Sequence, residues 1–418
     1  MTTRRHRGDA GGRIRQPAGG WLRLLVIAVI ALPLAWLAGT QAAGMTLSRF
    51  NPPLAVEAAP NNGQALARLA ELELVSGVQE AGGEFPSDMV DPLWGKSREA
   101  FLKAPLSADS VRIAALTREE AGDVELARTL MRDLVKLTKR DLMTHLWLIA
   151  DYGRLGDLEG LLHHYDLALR TSTQAPGILL PRLALALQAP GAIEALTQVL
   201  ARQPPWAQQF WRTVYVTPEA LPRGTELRLA LLDRSIAVPD DVDRRLTLSL
   251  GRDREWDIAA RLYRRVAGDG APALDHIGEA DLSRVPKLPP LEWNFPSTGL
   301  QSTEIDPGPG RMILTGGAAT SGVAASRVVA LEPGRYEVHL ERAEPETGSN
   351  ATLAVEVTCV ETVPQLRVAR FRGEGTSIQG SFETDAGCRY YAFQVHLQVP
   401  RASTSGQVII DEIALRPV

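Results

Sequence analysis

The sequence predicts a multidomain α + β protein with a single N-terminal transmembrane helix, an all-α helical solenoid and a C-terminal all-β sandwich. Three observations predict it. Residues 24–48 hold no charged side chain and are nearly all aliphatic as far as Ala38. Gly122-Asp123 recurs 34 positions later as Gly156-Asp157, and Ala127, Leu161 and Ala195 keep the same step, as do Met131, Tyr165 and Val199. Beyond residue 290 the apolar period changes from about 3.6 to 2, from helix to strand.

The apolar run comes first. At about 1.5 Å per residue, roughly 20 residues cross the hydrocarbon core, so 21–43 is assigned to the span. Pro33 is tolerable in such a helix, and Trp21 and Trp36 suit the interfaces. Arg4, Arg5, Arg7, Arg13, Arg15 and Arg23 all lie on one flank. The positive-inside rule therefore makes 1–20 a cytoplasmic basic tail and places the rest outside the cytoplasm. A cleaved signal peptide ending near Thr40-Gln41-Ala42 is the other reading, and it exports the body equally. The small residues Ala31 and Ala35 hint at helix pairing.

Charge and cysteine usage fit export. The net charge of -4 divides unevenly: six arginines against Asp9 give the first 23 residues +5, leaving -9 on the remainder. An acidic body argues against nucleic acid, which needs a basic stripe on the folded part. Only Cys359 and Cys388 occur. In an oxidising compartment they read as one disulfide, with two buried thiols as the alternative.

Residues 44–60, with Asn51-Pro52-Pro53, read as a tether, and 61–267 as helical. Apolar steps of three and four mark Gln64–Leu74, Ser97–Lys103, Ser110–Glu120, Val124–Leu137, Leu142–Arg154, Leu158–Leu169, Ile178–Gln188 and Ile193–Ala201, with a polar insert at Ala81–Pro92. Short turns and a fixed period require stacked hairpins, because each pair buries its apolar face only against a neighbour.

Gly122-Asp123 with Ala127, Gly156-Asp157 with Ala168, and Pro105 between units resemble the tetratricopeptide repeat (TPR) over about 100–205. The third unit departs, with Pro190-Gly191 in place of Gly-Asp and Ala195 still in register, and the family's aromatic positions are largely missing. Residues 61–100 and 205–267 read as divergent or capping hairpins, the latter around Gly251, Trp256, Ala260 and Ala267, and a solenoid of another kind stays open. The resemblance implies a protein-binding groove on the first helices, with Arg112, Leu116, Glu119 and Glu120, then Leu146, Ala150, Gly153 and Arg154, facing it.

Residues 268–290, rich in Gly, Pro, Ala and Asp, read as a linker, and 291–418 as the sandwich. Tyr336, Val338 and Leu340 alternate with Arg335, Glu337, His339 and Glu341; Leu353, Val355, Val357 and Cys359 share a face, as do Tyr391, Phe393, Val395, Leu397 and Val399. Such alternation marks half-buried antiparallel strands. Further strands are expected near Met312–Leu314, Val323–Ala330, Leu366–Phe371, Ser377–Phe382 and Val408–Leu415. Leu331-Glu332-Pro333-Gly334-Arg335-Tyr336 and Ile410-Asp411-Glu412-Ile413-Ala414-Leu415 resemble the opening and closing strands of carbohydrate-binding-like jelly rolls. Tyr390, Gln394, His396 and Gln398 share the face opposite the apolar one and form the candidate glycan-binding row, with a plain solvent face as the alternative.

No GxSxG, HExxH, Walker or GxGxxG pattern occurs, so no catalytic residue, cofactor or metal is expected. His163 and His164 point about 100° apart on a helix and read as packing or solvated groups, His145 as a core histidine, and Glu119-Glu120 as a solvated face. The architecture resembles anchored TPR proteins of bacterial exopolysaccharide synthesis or export. That implies a non-enzymatic scaffold in the bacterial inner membrane, periplasmic in bulk. Its partners would be proteins of a cell-envelope complex and, as a candidate, a polysaccharide. The alternatives are a cytochrome c maturation-type assembly factor and a glycan-processing enzyme using acids among Glu292, Glu304, Asp306 and Asp411.

Overall fold

The computed structural model describes residues 20–343, 351–373 and 375–418. The basic tail read at 1–20, with Arg4, Arg5, Arg7, Arg13 and Arg15, lies outside them apart from Gly20. The described chain divides into two compact units, Met1–Ser172 and Thr173–Val418.

The first unit is helical. Helix α1, Gly20–Leu47, carries Pro33 inside it, and Arg23–Leu47 is long and apolar enough to cross a membrane. Its side chains from Leu24 to Leu37 are exposed. The residues read as a tether are instead structured. The helix continues to Leu47, and the Asn51 side chain accepts from Leu54 N at 3.1 Å to start α2, Pro52–Ala58. Asn62 donates to Gln41 O and Oε1 at 3.2 and 2.9 Å and, as N-cap, accepts from Ala65 N to open α3, Gly63–Glu80. A Cβ on Gly44 would meet Ala59 Cβ at 2.8 Å. The last turns of α1 therefore pack on protein, and a larger residue at position 44 would push them apart.

Five more helices complete this unit: α4 (Val90–Lys103), α5 (Ala108–Glu120), α6 (Val124–Leu137), α7 (Leu142–Leu155) and α8 (Leu158–Thr171). The starts of α5 and α7, and of α6 and α8, are both 34 residues apart. The Gly-Asp echo has a local cause. Gly122 and Gly156 adopt φ of +85° and +69°, a left-handed conformation that glycine enters without steric cost. The aspartate after each accepts from the backbone three residues on, Asp123 from Leu126 N at 3.2 Å and Asp157 from Gly160 N at 2.9 Å, capping the next helix.

The second unit begins with six helices: α9 (Ala175–Leu185), α10 (Ala192–Leu200), α11 (Ala207–Val216), α12 (Leu221–Asp233), α13 (Val242–Arg252) and α14 (Trp256–Val266). Among the described residues nine antiparallel strands follow: β1 (Gln301–Asp306), β2 (Arg311–Gly317), β3 (Ser321–Ala330), β4 (Gly334–Arg342), β5 (Thr352–Cys359), β6 (Leu366–Gly373), β7 (Ser377–Thr384), β8 (Tyr390–Gln398) and β9 (Ser405–Pro417). They form two sheets, ordered β1-β2-β9-β4-β7 and β3-β8-β5-β6. The alternation in β4, β5 and β8 fills the space between them with one apolar core that includes Met312, Val338, Leu340, Val355, Phe393, Val395 and Ile413. The expected strands are all present; β1 is additional. Cys359 and Cys388 form a disulfide with Cα atoms 6.1 Å apart.

The stretch read as a linker, 268–290, is packed rather than free. Ile277 bridges to Leu415 of β9 and Asn294 to Ser326 of β3, so this segment and the residues after it touch both sheets. Thr247 Oγ1 of α13 donates to Pro289 O at 2.8 Å. Arg327 of β3 is fully buried and pairs with Asp281. It also donates to Leu291 O at 3.0 Å, to His276 O at 3.4 Å and to Ala273 O. Burial lowers its pKa to about 10, which keeps it cationic at neutral pH. A buried cation persists only when its charge and protons are matched, and the connecting segment supplies that match.

Candidate functional site

Three clusters draw in the residues singled out by sequence. The first is an ion network in the helical unit. Arg112 on α5 is buried. It donates to Glu71 of α3 at 2.5 Å, to Asp109 at 2.9 Å and to Asp141, the N-cap of α7, at 2.7 Å. Arg68 Nε adds a contact of 3.0 Å to Asp109. These three carboxylates outweigh burial and raise the pKa of Arg112. Its guanidinium ties three helices together and is not presented to solvent. Leu116 is half-buried between two apolar clusters. Glu119 accepts from Trp147 Nε1 at 2.5 Å and from Arg154 at 3.1 Å. Glu120 and Arg154 are exposed and Leu146 is half-buried. Arg128 of α6 grips Asp151 of α7 through two bonds of 2.6 and 3.0 Å. Asp151 is buried, and this guanidinium holds its carboxyl below the usual range.

The second cluster pairs histidines that sequence reading kept apart. His145 on α7 and His164 on α8 are buried, with their Nδ1 atoms 3.1 Å apart. His145 Nε2 donates to Lys139 O at 3.0 Å. That partner assigns the tautomer: His145 Nδ1 accepts, and His164 Nδ1–H donates to it. Tyr152 stacks on His164 at 5.4 Å. Burial, first, lowers both pKa values, and the His145 charge adds to the effect on His164, which is pushed down to about 4.

This pair predicts acid sensitivity. Unfolded, both imidazoles take up protons near pH 6.5; folded, they resist until lower pH. The unfolded chain thus binds more protons between about pH 4 and 6.5, and stability falls as pH drops through that window. Allowing for solvent near the pair, His164 contributes a loss of roughly 1–2 kcal/mol between pH 7.5 and 5. Denaturant unfolding of the wild type and of His164→Gln at both pH values measures it. The variant is expected to lose less, and equal losses would exclude the pair as the cause.

The third cluster is on the β3-β8-β5-β6 sheet. Tyr390 is buried rather than open on the sheet surface. Its ring stacks on Trp256 of α14 at 6.1 Å and its hydroxyl donates to Asp257 at 2.8 Å; burial raises its pKa to about 12. Gln394 and His396 are half-buried and Gln398 is exposed. Glu356 of β5 lies 3.0 Å from Arg367, 3.3 Å from Arg370 and 3.9 Å from His396. Burial lowers the pKa of His396 more than Glu356 raises it. The structure therefore joins Gln394 and His396 to a charged neighbourhood, sets Gln398 between Ser321 and Thr352, and uses Tyr390 in packing against a helix.

The four acids considered for hydrolysis have separate roles. Glu292 is buried and accepts from Arg284 and Lys287 N, each at 2.5 Å, and from Leu288 N at 3.1 Å. Asp411 pairs with Arg311 at 2.7 Å. Glu304 and Asp306, both on β1, are exposed. Sequence reading missed the Arg327–Asp281 pair and the His145–His164 contact, since both join residues from different elements. The one available signal for the first was a lone arginine inside an otherwise apolar strand.

No known family model matches the chain, and no curated protein matches it in sequence.

Proposed function

We propose that this protein is a non-enzymatic, membrane-anchored periplasmic scaffold of the cell envelope. Its TPR-like helices hold a protein partner, and its jelly-roll-like sandwich contacts an envelope component, with a polysaccharide as the leading candidate. The observation that carries the reading is the disulfide Cys359–Cys388 in the unit that follows a charge-free, lipid-length helix. Disulfides persist in oxidising compartments, and the arginines flanking the helix favour retention of its N-terminus in the cytoplasm.

Further support comes from the 34-residue spacing of helix starts, with a left-handed glycine and an aspartate cap at each turn. Salt bridges between neighbouring helices favour a rigid, preorganised array, which lowers the entropic cost of gripping a partner. Glu292, Asp306 and Asp411 are engaged by arginines or backbone amides, which supports a binding role over a catalytic one.

Topology is the first test. Fused at the C-terminus, alkaline phosphatase should be active and a cytosol-restricted fluorescent protein dark. The opposite pattern would reject the reading. Crosslinking in intact cells should then capture an envelope protein on the helical unit, and purified full-length protein should bind an envelope glycan on an array.

A further inference from the structure

We propose that His339, Glu341 and Glu412 form a binding site for a first-row divalent cation of the zinc class, with open coordination positions facing a cleft. The site is independent of the scaffold reading. Period-2 alternation on β4 buries Tyr336, Val338 and Leu340 and turns His339 and Glu341 to the solvent face of the five-stranded sheet. Antiparallel pairing sets Glu412 of β9 directly opposite Glu341. The register then shifts between Glu341 and Arg342, so that Asp411 and Glu412 are consecutively exposed. Such a bulge re-aims a side chain.

One ligand atom from each of His339, Glu341 and Glu412 lies within 4.8 Å of the others. Like charges directly opposite across a strand pair repel, so two carboxylates meeting here ask for a cation between them. Arg416, at 3.6 Å from Glu412, gives only a loose contact. Zinc-class bonds of about 2.0–2.2 Å place adjacent donors roughly 3.0–3.5 Å apart. His339 Nε2 and Glu341 Oε1 are already 3.1 Å apart.

One imidazole and two carboxylates suit zinc-class ions rather than calcium, which takes six to eight oxygens. Three protein donors also match the count of a site that keeps water or an exchangeable ligand in its remaining positions. Room for such a ligand exists. Glu412 lines a cleft of about 600 Å³ whose walls include Leu282, Pro307, Gly310 and Asp411. A smaller hollow beside it is lined by His339, Gln379 and Arg416. Among the described residues the other grouping of ligand-type side chains, Cys359, Glu361 and Cys388, has both thiols tied in the disulfide. Linear spacing could not reveal the triad, because β4 and β9 meet only through the fold.

The test uses full-length, tag-free protein in detergent, stripped with chelator and titrated with Zn²⁺ by calorimetry. One saturable equivalent per chain is expected, with affinity falling at least about tenfold in both His339→Ala and Glu412→Gln. Cobalt substitution should give a visible absorption band that disappears in the same variants. His276→Ala, an exposed histidine of the same unit, should bind as the wild type does. Matching near-ultraviolet circular dichroism certifies that each variant is folded. No saturable binding, wild-type affinity in both ligand variants, or displacement of Zn²⁺ by equimolar Ca²⁺ would each overturn the proposal.

Discussion

Asp281→Ala should destabilise the second unit by about 3–5 kcal/mol, the usual cost of stranding one member of a buried ion pair. Asp281 is 4% exposed and Arg327 fully buried. Removing the carboxylate leaves a guanidinium among Leu291, His276 and Ala273 carbonyls with no counter-charge. It also strips Gly278 N of the acceptor it holds at 2.8 Å. The double variant Arg327→Met/Asp281→Leu should recover much of the loss, because replacing both charges removes the desolvation penalty along with the attraction. Denaturant unfolding of the full chain, followed by near-ultraviolet circular dichroism, closes the double-mutant cycle. A single-variant loss below about 1 kcal/mol would show that the connecting segment does not hold this part of the sandwich.

Removing the disulfide should cost about 3–4 kcal/mol. The bond closes a loop of 29 residues spanning β6 and β7, and the chain-entropy relation gives that size for such a loop. Both cysteines are buried, at 1% and 9% exposed, and serine is nearly isosteric with cysteine, so Cys359→Ser/Cys388→Ser leaves little cavity. The loss should therefore come mainly from a freer unfolded chain. Reducing the wild type with dithiothreitol should reproduce the double variant's midpoint. Equal stability of oxidised and reduced wild type would mean that the loop is already confined when unfolded.

Much of the fold was legible because its signals are local. Alternation in Tyr336–Leu340 and Tyr391–Leu397 needs only the pleat and a one-sided core. Glycine followed by aspartate needs only a left-handed residue and a capping carboxylate. β1, Gln-Ser-Thr-Glu-Ile-Asp, escaped because its burial is irregular at the sheet's edge. Residues 44–60 and 268–290 read as tether and linker because proline and glycine usually mark loops. Yet α2 uses Pro52 and Pro53 in its first turn, where the missing amide costs nothing. Tyr390 shared its face with Gln394 and His396 in sequence, but Trp256 and Asp257 took it into a packed contact.

The sequence by itself determined the apolar helix, the helical repeat with its 34-residue step, the β-sandwich and the two cysteines available for a bond. Each follows from residues close together in the chain, where periodicity and backbone preference act. Only the tertiary structure decided that Arg112 is a buried strut between helices, that His145 meets His164, that Asp281 neutralises Arg327, and that His339 and Glu341 face Glu412. Those pairings join distant elements, and burial fixes them: a polar group taken from water must find its partner wherever the fold places one.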